Sequence, residues 1–309
     1  MPERQYVFCI PRSGFNDILC QMEKAWSYAE SHGRTLVVDA RYCALEGAFT
    51  RYFSTEAGDV FLHPGEALLR HLDRLEVFPP CLRGRVSRHA QQAVDSHSIG
   101  GTRVDSDTGQ LLTFDMTRPY QENVLVHHSS GGGDMGLGCL QRLKLVPEVA
   151  LDIARALAVL GEDYDAVHIR NTDIGTDYLP FFRQIFPLVR GRKLLICSDD
   201  LACREAALKF FVESQVLTVT DIPDTGGQAL HLFVQNIHAK NLSMLTDLFA
   251  LARARRLFVS QITHGSKKGK LSGFSRLALA LHAHPETVDK LFGSSCFTCG
   301  VFQNQARTP

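Results

Sequence analysis

The sequence predicts an α/β protein built from two αβ halves. Short β-branched runs alternate with amphipathic helical segments near the start of the chain and again through its second half. Several of those runs end in polar or acidic residues just ahead of a helix start, as strands of parallel sheets do. The length of 309 residues corresponds to about two domains at roughly 100–200 residues each.

The first unit of pattern is Tyr6-Val-Phe-Cys-Ile10, an apolar run stopped by Pro11. Ile18, Met22, Ala25, Trp26 and Ala29 then recur at helical spacing until Gly33, and Arg34-Thr-Leu-Val-Val-Asp39 is a second strand. Strand, helix, strand implies parallel pairing. Between 40 and 123 the pattern weakens, and only 66–75 reads as a helix. A strand at 124–127 leads into Ser129-Ser-Gly-Gly-Gly-Asp-Met-Gly-Leu-Gly138, a glycine density that marks a turn or backbone close to a ligand. After Pro147, helices over 148–160, 179–189, 202–211, 242–254 and 273–282 alternate with strands at 166–169, 193–197, 215–220 and 256–259. The expected domains are 1–145 and 146–309, without an internal repeat.

Composition excludes several classes. Lys and Arg number 33 against 33 Asp and Glu, so no global field favours nucleic acid or a membrane surface. No apolar run approaches the ~18 residues of a membrane-spanning helix, and Met1-Pro-Glu-Arg-Gln lacks an apolar leader. Nine cysteines, an odd number at irregular distances, read as reduced thiols. A cytoplasmic protein is expected. The Gly131–Gly138 stretch lacks the Gly-x-Gly-x-x-Gly spacing, no Gly-Lys-Ser/Thr follows a glycine loop, and Gly-x-Ser-x-Gly is absent. Cys296-Phe-Thr-Cys299 stands alone, and His127-His128 and His282/His284 lack further ligands, so no metal site is expected.

Ligands of open α/β sheets bind beyond the carboxyl ends of the strands. Four such places carry chemistry. Pro11-Arg-Ser-Gly-Phe-Asn-Asp17 offers Gly14 for a tight turn and a helix start with free amides; Gly14 and Asn16 are candidate donor contacts, or Asn16 or Asp17 is a plain N-cap. Val167-His-Ile-Arg-Asn-Thr-Asp173 ends a strand in His168 and Arg170, whose guanidinium fork matches a phosphate; the alternative is an internal Arg170–Asp173 ion pair fixing the turn. Leu194-Leu-Ile-Cys-Ser-Asp-Asp200 closes in Asp199 and Asp200, either ligand-facing or capping the next helix. Leu271-Ser-Gly-Phe-Ser-Arg-Leu-Ala278 opens a helix after Lys267-Lys-Gly-Lys270, so Ser272, Gly273 and Phe274 could cradle a diphosphate, or Ser272 is an ordinary cap. Upstream, Asp247 shares a helix face with Ser243, Ala250 and Ala254, where a carboxylate could read a nucleobase edge or merely be solvated.

Together, Ser13-Gly-Phe-Asn-Asp17, Gly33-Arg-Thr-Leu-Val-Val-Asp39, His168-Ile-Arg-Asn-Thr-Asp173, Cys197-Ser-Asp-Asp200, Asp247 and Ser272-Gly-Phe-Ser-Arg-Leu-Ala278 resemble the GT-B fucosyltransferase superfamily, which holds the α1,6-fucosyltransferases, nodulation fucosyltransferases and protein O-fucosyltransferases. The resemblance covers most of the chain. It implies two Rossmann-like domains facing a cleft, with an acceptor-side domain at 1–145 and a nucleotide-sugar domain at 146–309. It further implies inverting, metal-independent transfer of fucose from GDP-fucose to a glycan or other hydroxyl acceptor, without a cofactor. Carried over, Arg170 holds the β-phosphate, His168 and Asp247 contact the guanosine, Ser272, Gly273 and Phe274 face the diphosphate, and Asp177 falls at the position of the base. Two departures stand out: Asn171 occupies the place of a second arginine, and Thr263-His-Gly-Ser-Lys-Lys-Gly-Lys270 lengthens the loop before Ser272. A transferase for another nucleotide-sugar, or a non-catalytic binder of glycan or nucleotide-sugar, is the alternative.

Overall fold

The computed structural model describes residues 4–293 except 42, 44, 46–48, 92–95, 222–235 and 266. Cys296 and Cys299 lie outside the described residues. The chain divides into two compact units, Met1–Leu143 and Lys144–Pro309.

The first unit begins with β1 (Tyr6–Arg12), α1 (Phe15–Ser31) and β2 (Thr35–Val38). Short elements follow where the sequence pattern is weak: α2 (Phe49–Tyr52), β3 (Phe53–Ser54), β4 (Val60–Phe61), α3 (Glu66–Leu72), β5 (Val77–Phe78), a 3-10 turn at Pro80–Leu82 and α4 (Val86–Gln91). A hairpin of β6 (Ser96–Ile99) and β7 (Thr102–Asp105), then β8 (Val124–Ser130) and α5 (Gly136–Gln141), complete the unit. The strands run in the order β4-β2-β1-β8-β7-β6, with β5 also on β8. β1 lies parallel to both β2 and β8, whereas β6, β7 and β8 pair antiparallel.

Alternation along β1 sets the packing. Tyr6, Phe8 and Ile10 join Val37, Leu69, Leu72, Val77, Val124 and Val126 in one core. On the other side the Cys9 thiol donates to the Gln21 carbonyl of α1, whose Ile18, Leu19, Met22 and Trp26 are buried. Helix α1 ends where Gly33 turns to φ +60°, a conformation that favours glycine.

The second unit runs β9 (Lys144–Leu145), α6 (Pro147–Leu160), β10 (Asp165–Ile169), α7 (Tyr178–Val189), β11 (Lys193–Ser198), α8 (Leu201–Phe210) and β12 (Gln215–Leu217). It closes with α9 (Ile237–Arg253), β13 (Arg256–Val259), α10 (Gly273–Ala283) and α11 (Pro285–Phe292). The sheet order is β12-β11-β10-β13, every pair parallel. Val167, Ile169, Leu194 and Ile196 meet the apolar faces of α7 and α8, including Phe182, Ile185 and Phe211, while α9 packs with α6 and α10. Apolar burial of this extent is the main force holding such a layer together. At the amino end of β10, Arg192, Arg255 and Arg256 all reach the fully buried Asp165. Charge at that end is therefore settled internally.

No described helix is long and apolar enough to cross a membrane.

Candidate functional site

The carboxyl ends of β10, β11 and β13 and the start of α10 hold most of the singled-out residues. His168 lies in β10, and Arg170 directly follows the last residue of that strand, Ile169. His168 is buried; its Nδ1 lies 2.8 Å from Ser275 Oγ, and its ring centroid lies 4.9 Å from that of Phe274. Ser275 Oγ is 2.9 Å from Ser272 Oγ, which also accepts the Ser275 amide at 3.0 Å. Ser272 is thus the N-cap of α10, as one local reading expected, and through Ser275 it is tied to His168. Burial, reinforced by the Arg170 charge, pushes the His168 pKa down to about 3, so the ring is neutral.

Arg170 is ion-paired. Nη1 lies 2.6 Å from Asp199 Oδ2 and Nη2 lies 2.5 Å from Asp173 Oδ1. The internal pair with Asp173 is therefore formed, and a second carboxylate joins it. The two acids differ: Asp199 is buried and also accepts from the Asn171 amide (2.8 Å) and Thr172 Oγ1 (2.6 Å), whereas Asp173 is exposed. A guanidinium has five N–H donors, and two single contacts leave part of the fork without a partner among the described residues.

Asn171 turns inward. Its Nδ2 donates to Asp200 Oδ2 at 2.5 Å and its Oδ1 accepts the Thr176 amide at 2.8 Å. Asp200 is the N-cap of α8, accepting from the Ala202 amide at 2.9 Å, so it follows the capping alternative. Asp177 stands at the N-cap of α7 with an exposed side chain that makes no cap hydrogen bond, while its amide donates to Thr263 Oγ1 at 2.6 Å.

Asp247 is half-buried on α9 and is not a solvated surface acid. Thr220 Oγ1 donates to its Oδ1 at 2.8 Å, and Cys197 at the end of β11 is a further hydrogen-bond partner. Desolvation outweighs these bonds and the Arg204 charge, raising the Asp247 carboxyl to about 7.

Gly14 and Asn16 belong to the first unit. Gly14, not Asn16 or Asp17, is the N-cap of α1, following Ser13 at φ +84°. Asn16 is buried and its Nδ2 donates to the Gly133 carbonyl at 3.1 Å. Gly132 lies against the Asp17 carboxylate, which a Cβ there would have to displace. Nearby, Arg12 Nε donates to His128 Nε2 at 3.0 Å, which leaves the His128 proton on Nδ1, 2.9 Å from His89 Nε2. His127 lies between Thr113 Oγ1 (2.7 Å) and Gln21 Oε1 (2.9 Å). These histidines are internal hydrogen-bond partners, and no described group of three or more His, Cys, Asp or Glu is arranged to hold a metal ion.

Several participants escaped the sequence reading. Ser275 was visible as a hydroxyl one turn after a cap, but nothing in the sequence placed it against His168. Thr220 gave no signal, because its pairing with Asp247 spans 27 positions. Ser260, directly after β13, is buried with its amide donating to the His168 carbonyl at 3.1 Å, and its Oγ has no partner among the described residues.

The two units with this strand order give the chain a GT-B fucosyltransferase-like fold. Among solved structures it is similar to the NodZ α1,6-fucosyltransferase co-crystallised with GDP, at 18% identity and a TM-score of 0.56 over 90% of this chain and 93% of that one. It is also similar to fucosyltransferase NodZ from Bradyrhizobium (19% identity, TM-score 0.55, 90% of this chain and 94% of that one). POFUT1 in complex with GDP-fucose matches at 12% identity and a TM-score of 0.53, over 91% of this chain and 94% of that one. No protein-family model matches the sequence, and no curated protein matches it.

Proposed function

We propose that the protein is a glycosyltransferase that moves a sugar, fucose in the first instance, from a GDP-sugar to a glycan or other hydroxyl acceptor, with inversion and without a metal. The observation that carries this reading is the joining of the β10 end to the α10 start through His168, Ser275 and Ser272, in a fold shared with GDP-bound fucosyltransferases. Residues 146–309 take the donor and residues 1–145 the acceptor.

Arg170 is the principal cation. As the bond between the sugar's anomeric carbon and the β-phosphate oxygen breaks, negative charge grows on that phosphate, and a fixed guanidinium stabilises the transition state more than the ground state. Asp199 aims the fork, while the exposed Asp173 is the partner that a phosphate displaces. Ser272, Gly273 and Phe274 offer helix-start groups to the diphosphate, and the Ser260 hydroxyl, without a partner among the described residues, is free to join them. His168 and Asp247 read the guanosine. Asp177 accepts the acceptor hydroxyl's proton as that oxygen bonds to the anomeric carbon from the opposite side, and GDP departs.

The double ion pairing of Arg170 favours a second reading, in which the fold binds nucleotide-sugar or glycan without turnover. One experiment separates the readings: thermal shifts with GDP, UDP and ADP, followed by GDP-fucose hydrolysis with and without Arg170→Ala. Stabilisation by GDP alone and hydrolysis lost in the variant support the transferase. GDP stabilisation without hydrolysis leaves the binder. No nucleotide response at millimolar concentration, with Arg170→Ala indistinguishable from the parent, overturns the transferase and the nucleotide-sugar binder.

A further inference from the structure

Four carboxylates, Asp173, Asp177, Asp199 and Asp200, stand on the turns beyond β10 and β11, against the single guanidinium of Arg170, which two of them already engage. Asn171 adds no charge, and its amide is taken up by Asp200 and Thr176. A diphosphate entering this place meets a local excess of negative charge, so further cations must come from elsewhere in the unit.

The loop from Thr263 to Lys270 is held beside this turn. The Thr263 and His264 amides donate to the Gly175 carbonyl at 3.2 and 3.3 Å, and Thr263 Oγ1 accepts the Asp177 amide at 2.6 Å. The His264 ring packs against Gly175, where a Cβ would lie 3.1 Å from its Cδ2. The loop closes on itself through Ile262 N to Lys270 O (2.9 Å) and Gly269 N to Ile262 O (2.8 Å), with Gly265 and Gly269 at φ +76° and +77°. Its stem is therefore fixed; Lys267 and Lys268 beyond it and Lys270 in it are all exposed and without an ion pair among the described residues. Lys270 precedes Ser272 by two positions, about 7 Å of chain at most, so the first turn of α10 is within the length of its side chain.

We infer that Lys267, Lys268 and Lys270 form an electrostatic clamp that binds the diphosphate of the donor together with Arg170. This rests on the donor reading above and supplies the positive charge that the β10 turn lacks. The Gly175 anchor positions the clamp, and the lysine stems supply the reach.

The test is calorimetric titration of the intact chain with GDP and with inorganic pyrophosphate, at about 50 mM and about 300 mM salt, conditions that bracket the screening of exposed charges. Lys267→Ala/Lys268→Ala/Lys270→Ala is expected to lose about tenfold in affinity for both ligands at low salt, most of the difference vanishing at high salt. Replacing the same three by Arg is expected to restore binding to within about twofold, since charge is kept. The ligand-free melting temperature of both variants serves as the folding control. If the parent binds GDP and the triple Ala variant binds it equally at both salts, the clamp is wrong and the donor reading stands. If the parent binds neither ligand, both fall.

Discussion

Ser275 Oγ lies 2.8 Å from His168 Nδ1, and the contact joins the last residues of β10 to the first turn of α10. In a neutral imidazole one nitrogen donates and the other accepts, so the hydroxyl's orientation decides what Nε2 offers a ligand. Ser275→Ala leaves a buried ring nitrogen without its partner, at about 1–3 kcal/mol. The expected outcome is a melting temperature lower by several degrees and weaker GDP binding, with Ser275→Thr close to the parent. Thermal unfolding with and without GDP checks it; an Ala variant that melts and binds like the parent would falsify this role.

Arg170 is predicted to split structure from catalysis through its two acids. Asp199 is buried and accepts from Arg170, Asn171 and Thr172, so Asp199→Asn lowers stability by more than about 1 kcal/mol. Asp173 is exposed, and Asp173→Asn changes stability by less than that. Arg170→Ala is expected to reduce turnover of GDP-fucose about 100- to 1000-fold, and Arg170→Lys recovers only part because the fork is lost. Steady-state rates beside denaturant unfolding measure both effects.

Local periodicity made the second unit readable. The strand over 256–259 and the α10 start at Gly273 fall where the sequence pattern puts them, because buried parallel strands are short apolar runs and helices between them are long enough to show their period. The region 40–123 was opaque for the converse reason: β3, β4 and β5 are two residues each, too short for any alternation, and are held by distant partners such as β8. At the site, residue types were legible but pairings were not. Arg170, Asp199 and Asp200 could each be named as strand-end polar groups, yet only the fold shows Asp199 taking the guanidinium and Asp200 taking the cap.

Asp247 predicts a pH dependence of nucleotide binding. A carboxylate accepts two N–H bonds from a guanine edge, whereas the protonated acid accepts poorly, and here desolvation has raised the carboxyl to about 7. GDP affinity is expected to rise as pH increases from about 6 to about 8, by roughly tenfold, the usual weight of a charge-assisted hydrogen bond. Asp247→Asn removes that limb and narrows the preference for GDP over ADP. Titration of both nucleotides at three pH values measures it; a pH-independent parent affinity contradicts the assignment.

The two units are expected to differ in acid stability. In the first, burial lowers His89 and His127 to about 4 and holds His128 well below its ordinary value. Below the unfolded value near 6.5 the unfolded chain binds protons that these neutral rings refuse, so stability present above 6.5 is lost as pH falls toward 4. Each ring contributes up to about 1.4 kcal/mol per pH unit in that window. Among the described histidines of the second unit, His168, lowered to about 3, acts in this direction. Asp247 acts oppositely, because its raised carboxyl adds stability that is fully present below the ordinary carboxylate value and lost as pH rises through 7. One His against one Asp nearly cancels between about 4 and 6.5, whereas three histidines in the first unit sum. Trp26, the sole tryptophan, is buried in that first unit and reports on it directly. On acidification, Trp26 fluorescence is expected to change at a higher pH than the bulk of the far-ultraviolet circular dichroism. Coincident transitions in the parent protein would mean that the buried histidines do not set its acid limit.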